Sequence, residues 1–385
     1  MRRTNGEGSA YHDVKRDRFV YRITYADPFT NQKKRKSFTD KKSLTAAKKR
    51  AQDFLNSLKT AGNAHEGSLK AFLEHWVVSI SETVKPKTLE RYKSILNQNI
   101  YPYPVANCLL EKLTTGMLQK HLTVLLQTGG NNKQGLAPRS VNATRRLLIG
   151  ALDTAVRDDI LPKNPATYTR PMKVTAPEIM VLTHEQAKHL ISCALQRSRN
   201  AWAIIVLALG TGMRISEIFG LEWKNIDLDA KKLQVEKTVV TTNSGTLIQE
   251  STKTKTSRRT IMLPDSVCNM LKRFRLWQKV RDIRFGTHYS ASPWVLSNPQ
   301  GKPRSPSSFS GHDFKQLLDI AGIDRKFRIH DMRHTHATWL LEAGVNIKVV
   351  SERLGHSSIR ITLDTYAHVL QTMQQEAVDT LNDIL

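Results

Sequence analysis

Along the chain the spacing of apolar positions changes character more than once. Phe19-Val-Tyr-Arg-Ile-Thr-Tyr25 alternates with a period of two, Asp27-Pro-Phe-Thr-Asn31 has turn chemistry, and Lys33-Lys-Arg-Lys-Ser-Phe38 resumes as a basic strand. A helix from Leu44 to Leu58 follows, so residues 1–60 predict a small sheet-plus-helix module, and the Gly/Asn/His stretch 61–67 reads as a linker. From there the period is helical: Leu69, Phe72, Leu73, Trp76, Val77 and Ile80 fall on one face. Helical patterns over Lys87 to Asn97, Thr115 to Gln127 and Pro138 to Asp159 are broken at Tyr101-Pro102-Tyr103-Pro104 and at Gly129-Gly-Asn-Asn132. Together they predict a compact all-α domain over 68–165, closed by Leu161-Pro-Lys-Asn-Pro165.

A second linker, 166–178, leads into the largest domain, 179–369, which opens with the capping-box spacing Thr183-His-Glu-Gln186. Leu233 to Leu263 alternates as strands around Thr242-Asn-Ser-Gly245, and Thr252-Lys253-Thr-Lys255-Thr-Ser-Arg-Arg259 reads as a basic turn between strands. After Tyr366, Val369, Leu370, Met373, Ala377, Leu381 and Ile384 form an apolar stripe near helical period, and the tail 370–385 needs a surface to bury it, either its own domain or a neighbouring copy's.

Composition adds charge to this outline. Lys plus Arg number 59 against 34 Asp plus Glu, a net charge of +25, and the pI is near 10.0, the balance of a polyanion binder. The excess is uneven: residues 1–60 hold 16 Lys/Arg and 6 Asp/Glu, whereas 367–385 hold three acids and no Lys or Arg. Hydrophobic residues at 39% exclude a disordered basic tail protein. Cys108, Cys193 and Cys268 match no paired-cysteine metal pattern and point to a reducing compartment. The longest apolar run, Ala201 to Leu209, is far too short to span a bilayer, so the expectation is a cytoplasmic protein with no membrane partner. In the N-terminal module aromatics and basic residues interleave, which marks Tyr21, Arg22, Tyr25, Lys33, Lys34, Arg35 and Lys36, with Lys255 in the later turn, as candidate nucleic-acid contacts.

There is no GxxxxGK[ST] loop, no GxGxxG after a strand, no HExxH and no Gx-Ser-xG elbow. His330 and His334 stand one helical turn apart, but no third ligand lies at a metal-like spacing, so neither cofactor nor metal is expected. What stands out is an ordered set. Leu207-Ala-Leu-Gly-Thr-Gly-Met-Arg214-Ile-Ser-Glu-Ile218 puts an arginine just past a Gly-Thr-Gly turn, and Arg328-Ile-His330-Asp-Met-Arg333-His-Thr-His-Ala-Thr338 puts a histidine and an arginine three apart. Leu354-Gly-His356-Ser-Ser358 and Thr362-Leu-Asp-Thr-Tyr366-Ala-His368 supply a histidine and a tyrosine ten apart.

The series Arg, Lys, His-x-x-Arg, His, Tyr resembles the tyrosine recombinases, and the three-part layout resembles the integrases of temperate phages and integrative conjugative elements. The resemblance runs over nearly the whole chain. It implies a multidomain fold: a small β-sheet-plus-helix arm-type DNA-binding domain, an all-α core-binding (SAM-like) domain, and a mixed α/β, mostly helical catalytic domain, closing as a clamp around DNA. It implies a site-specific recombinase acting on core and arm attachment sites in double-stranded DNA, self-associating to a tetramer with tails exchanged in trans. A directionality factor and a host DNA-bending protein are the further partners it implies. The same residues would also serve a type IB topoisomerase-like relaxase, and a non-catalytic DNA-binding regulator is the alternative outside enzymes.

The chemistry can be argued beside the resemblance. Two guanidiniums, planar and permanently charged, suit the oxygens of a phosphodiester in flight, which are the roles of Arg214 and Arg333. Tyr366 is the nucleophile, whose phenol needs hydrogen bonding and neighbouring cations to act. Its attack leaves a 3′-phosphotyrosyl link and a 5′-hydroxyl, so rejoining needs neither ATP nor metal. A hairpin lysine, Lys253 or, two residues on, Lys255, delivers a proton to the leaving oxygen; Lys253 matches the family's position better. His330 exchanges a proton near the tyrosine while bonding the phosphate, and His356 bonds a non-bridging oxygen. His334, His336 and His368 are assigned structural roles or roles supporting the catalytic side chains. Taken singly, Arg214 would be an ion-pair partner of Glu217 and Tyr366 a core aromatic. Met262 stands where the family commonly has proline, with Pro264 two residues later, which leaves the lysine register open by a residue or two.

Overall fold

The computed structural model describes residues 8–13, 17–26, 33–40, 43–52, 67–130, 132–175, 179–243, 245–250, 258–286, 292–367, 378 and 382. The expected tail contacts and both hairpin lysines, Lys253 and Lys255, lie outside them, as does His368. The chain divides into two compact units, Met1–Thr175 and Ala176–Leu385.

The first unit begins with an antiparallel sheet of three strands, β1 (Ser9–Asp13), β2 (Arg18–Ala26) and β3 (Lys33–Asp40), in that order. The pairing sets Arg22 opposite Ser37 and Ile23 opposite Lys36. Because side chains alternate across a strand, Tyr21 and Lys36 share one face while Arg22 and Arg35 share the other. Helix α1, residues 44–52, lies on the Tyr21 face, with Lys48 Nζ 5.7 Å from the Tyr21 ring centre. On the opposite face Arg22 stacks over Tyr11 at 5.6 Å and donates to its hydroxyl.

The helical part starts at α2 (Leu69–Ser79), whose cap Ser68 accepts from the Ala71 amide, a contact worth about 1 kcal/mol. Its buried face is Leu69, Leu73, Trp76 and Val77, four of the six positions in the stripe read from the sequence, with Phe72 and Ile80 partly buried against the same core. Helix α3 (Pro86–Ile95) starts on proline, which has no amide to leave unpaired there, and runs into a single π-turn, Leu96–Ile100. That turn buries Asn99, whose amide nitrogen donates to Thr144 on α5 (Pro138–Arg157). With α4 (Thr115–Thr128) these helices close over a core that includes Leu96, Ile100, Leu118, Leu148 and Leu152. The Tyr-Pro-Tyr-Pro break is followed by a short 3₁₀ turn, Pro104–Asn107.

In the second unit the expected capping box forms: Thr183 Oγ1 accepts from the Gln186 amide, and Gln186 Oε1 accepts from the Thr183 amide. Helix α6 (His184–Arg197) packs on α7 (Arg199–Thr211), whose apolar run Ala201 to Leu209 is the centre of the core. A short α8 (Ile215–Phe219) precedes two sheets. Strands β4 (Ile226–Asp227), β5 (Lys232–Val235) and β8 (Arg259–Met262) pair in the order β4-β5-β8, and β6 (Lys237–Thr242) with β7 (Gly245–Glu250) form a separate hairpin. Helices α9 (Asp265–Phe285), α10 (Ser307–Ser310), α11 (His312–Ile320), α12 (Asp331–Glu342), α13 (Ile347–Leu354) and α14 (residues 359–367) complete the unit. Met262 is exposed at the end of β8, and Pro264 serves as the N-cap of α9, where its missing amide costs nothing. Among the described residues no helix is long and apolar enough to cross a membrane.

Candidate active site

Five of the six side chains assigned from the sequence converge in the second unit. The turn that places Arg214 ends α7 at Gly212, whose φ of +67° is a left-handed conformation natural to glycine. An added Cβ there would sit 2.6 Å from His336 Cδ2 and 2.9 Å from Leu354 Cδ2, so the close approach also demands glycine. Arg214 is the N-cap of α8. Its backbone amide donates to Glu217 Oε2 at 2.9 Å, Nη1 donates to Glu217 Oε1 at 2.9 Å, and Nη2 donates to the Gly355 carbonyl at 3.2 Å. The ion pair with Glu217 therefore exists, and it holds Arg214 in place rather than hiding it: 39% of the side chain is exposed.

Glu217 is buried and shared. Arg259, at the start of β8, grips it with Nη1 to Oε1 at 3.1 Å and Nη2 to Oε2 at 2.8 Å, while Nε donates to the Arg353 carbonyl at 2.7 Å. Burial pushes the Glu217 carboxyl up, but Arg259 and Arg214 outweigh it and hold the group below the usual carboxylate range. Gly355, at φ +68°, leaves room for Arg259, whose Nη1 would lie 2.8 Å from an added Cβ. Neither Glu217 nor Arg259 was assigned a catalytic-site role from the sequence; the only signal was the three-residue spacing from Arg214 to Glu217.

Helix α12 carries the His-x-x-Arg pair. Asp331 is fully buried and accepts from the Arg328 amide, Nε and Nη2, which fixes the turn that presents His330 as N-cap. Arg333, three residues on, points inward: it is 3% exposed and Nη1 donates to the Gly212 carbonyl at 2.8 Å. Its Nη2 is buried without a partner among the described residues. Burial, then the charge of Arg214, pull the Arg333 guanidinium down to about 9. A guanidinium held beside another cation with an unused donor is a site short of one anion. His330 is lowered by burial, then by Arg333 and Arg214.

His356 follows the left-handed cap at Gly355, and its Nδ1 lies 2.8 Å from Thr362 Oγ1. Burial and then Arg333 and Arg214 bring its imidazole to about 4. Tyr366, on α14, is 1% exposed and packs with Ala337, Leu341, Val350 and Leu354. Burial pushes its phenol up to about 12, and Arg333 only partly offsets this, so the cations expected to favour phenolate do not dominate here. The hydroxyl meets Nδ1 of His334 at 2.9 Å. His336 is structural: Nδ1 bonds the Leu209 carbonyl and Nε2 accepts from Arg353.

A family model described as the phage integrase family matches residues 180–373, a span holding all of these side chains. The "Tyrosine recombinase XerC-like" protein of Caldanaerobacter subterraneus subsp. tengcongensis is 30% identical over 96% of this chain and 98% of its own length. The chain belongs to the phage integrase family of tyrosine recombinases. A second model, the phage integrase N-terminal SAM-like domain, matches residues 68–125 of this recombinase. The ICEBs1 integrase of Bacillus subtilis is 27% identical over 93% of this chain and 95% of its own. Among solved structures, the Tn1549 transposon integrase in complex with a circular intermediate DNA has a TM-score of 0.65 at 23% identity, covering 80% of this chain and 99% of that one. The lambda integrase tetramer bound to a Holliday junction has a TM-score of 0.55 at 20% identity, covering 91% and 95%. These two likenesses concern the fold. The protein is a site-specific recombinase of the mobile-element integrase type, an enzyme that cleaves and rejoins DNA strands through a 3′-phosphotyrosyl intermediate.

Proposed function

We propose that Arg214 and Arg333 clamp the scissile phosphate while Tyr366 attacks it. The observation that carries this is the buried, unpartnered Nη2 of Arg333 beside a second guanidinium already oriented by Glu217. A non-bridging oxygen completes the Arg333 donor set, and the charge that builds on phosphorus is met by donors that need no reorganisation. His356 and His330 donate ring N–H bonds to the same phosphate. Lys253, or Lys255 in its place, protonates the departing 5′ oxygen. Because the phosphotyrosyl link stores the bond energy, the 5′-hydroxyl of another strand can reverse the step.

In this reading residues 1–60 bind arm-type sites, 68–165 grip the core site, 179–369 cut and rejoin, and 370–385 dock on a neighbouring copy. The open sheet face with Arg22, Arg35 and Tyr11 suits the first role better than the face covered by α1. A cavity of about 390 Å³ supports the last: Trp202, Met270 and Trp339 make an apolar floor and Lys188 and Arg273 a basic rim. That matches a tail with an apolar stripe, three acids and no basic residue. A tetramer on DNA, a directionality factor, a host DNA-bending protein and a cytoplasmic site of action complete the proposal.

The test uses purified full-length protein, a chelator and a nicked duplex carrying the junction sequences that flank its own gene. A covalent adduct on a denaturing gel, absent with Tyr366→Phe, is the expected result. An adduct that persists in Tyr366→Phe, or appears only when metal is added, overturns the assignment.

A further inference from the structure

The phenol of Tyr366 has one hydrogen-bond partner among the described residues, Nδ1 of His334 at 2.9 Å. The other histidines are otherwise engaged: His336 uses both ring nitrogens on Leu209 and Arg353, and His356 turns Nδ1 to Thr362. His330 meets the His334 ring edge-on at 5.0 Å and makes no hydrogen bond to the phenol. For Nδ1 to accept from an O–H, the imidazole must be neutral with its proton on Nε2. His334 is half-buried, and its Nδ1 faces the nucleophile.

We infer that His334 is the proton acceptor for Tyr366 in strand cleavage and the proton donor to the same oxygen in rejoining. This rests on the assignment of Tyr366 as nucleophile and on the lysine turn as the leaving-group acid. In cleavage the phenol proton passes to Nδ1 of His334, giving an imidazolium. The phenol oxygen bonds to phosphorus as the P–O5′ bond breaks, and the 5′ oxygen leaves with the lysine proton. In rejoining the 5′-hydroxyl returns its proton to the lysine, its oxygen bonds to phosphorus as the phosphotyrosyl P–O bond breaks, and the departing phenol oxygen recovers its proton from His334. No oxidant, metal or further reactant enters.

The surroundings make this acceptor dependent on substrate. Burial first, then His330, Arg328 and Arg333, bring the imidazole down to about 4 against the opposite pull of Asp331, so it is a poor base in this state. A phosphodiester anion bound at Arg333 adds negative charge close by and raises the proton affinity of His334 when the proton must move. The base is thereby weakest when there is no phosphate to attack.

The experiment compares wild type, His334→Asn, His330→Asn and Tyr366→Phe on the nicked flanking-sequence duplex, made with an ordinary or a 5′-bridging phosphorothiolate linkage. Asparagine keeps an acceptor near the place of Nδ1 but cannot hold a proton, and the sulfur leaving group needs no acid. Adduct formation by His334→Asn should fall about 10²–10⁴-fold on both duplexes, the range for general acid–base groups, with DNA retention unchanged. If His334→Asn unfolds on thermal melting, His334→Gln takes its place with the same expectation. A wild-type rate in the variant, a rate restored by the sulfur linkage, or faster cleavage each overturns the inference, the last by making His334 a restraint on the nucleophile. Tyr366→Phe separates the two levels: if it still forms adduct, the nucleophile assignment itself falls, whereas a silent Tyr366→Phe beside a fast His334→Asn removes the base alone.

Discussion

Arg259 holds Glu217 through both arms of its guanidinium, at 3.1 and 2.8 Å, and both side chains are almost wholly buried. The same carboxylate takes the backbone amide and Nη1 of Arg214, so a residue on a strand positions, through a shared carboxylate, the arginine that caps a helix 45 residues earlier. Arg259 also opens β8, the strand that follows the basic turn in the sequence.

Arg259→Met should leave Glu217 with a buried charge and half its partners. Removing one member of a buried pair costs about 3–5 kcal/mol, and the midpoint of urea unfolding should fall accordingly. Among molecules still folded, adduct formation should drop further than DNA retention. Arg259→Met combined with Glu217→Gln should be less damaging than the sum of the two changes, because the uncompensated charge is gone.

Gly212→Ala places a methyl group against His336 and Leu354 at a left-handed backbone position. The carbonyl that receives Arg333 Nη1 belongs to this residue, so relief of the clash moves the arginine. A loss of about 1–3 kcal/mol in unfolding free energy, with adduct formation falling by more than tenfold, is expected. Equal adduct rates in Gly212→Ala and wild type would show that the turn does not set Arg333.

Stability should depend on pH through four buried or half-buried histidines. Burial is the leading cause that brings His121, His334, His336 and His356 down to about 4 in the folded chain. Unfolded, each takes a proton near the usual value of about 6.5. Between these values the unfolded state binds more protons, so stability is complete above about pH 6.5 and is lost as pH falls toward 4. Thermal unfolding followed at pH 7.5, 6 and 5 should show falling midpoints, in both units since His121 lies in the first. A flat profile over that range would mean the histidines are protonated without unfolding.

Affinity for duplex DNA should fall steeply with salt. With a net charge of +25 and basic residues concentrated in the first 60 positions, many phosphate contacts release counterions. A protein neutralising six to ten phosphates loses roughly 10³–10⁵ in affinity between 50 and 200 mM salt. Filter retention at those two concentrations checks this, and unchanged retention would remove the electrostatic basis of binding.

Much of the fold follows from local signals. The Thr183 to Gln186 box, the stripe Leu69 to Val77 and the buried run of α7 are decided by periodicity and capping, which act within a few residues. Strand β1 was not legible. Ser9-Ala-Tyr-His-Asp13 has no apolar alternation, and it becomes a strand because Tyr11 finds Val20 across the sheet. The π-turn at Leu96–Ile100 is likewise a tertiary choice, made where Asn99 reaches Thr144.

For the candidate site, sequence alone supplied the residue types in order, two guanidiniums, a lysine, two histidines and a tyrosine, with glycines where the turns require them. Tertiary structure decided who holds whom. Arg333 bonds a carbonyl 121 positions away, Glu217 answers to Arg259 as well as to its own neighbour, and Tyr366 turns to His334 rather than His330. Residue type and spacing set the donors and acceptors a segment can offer. Which of them meet is set by how α7, α12, α13 and α14 pack around one core, and that depends on contacts between segments that no local pattern encodes.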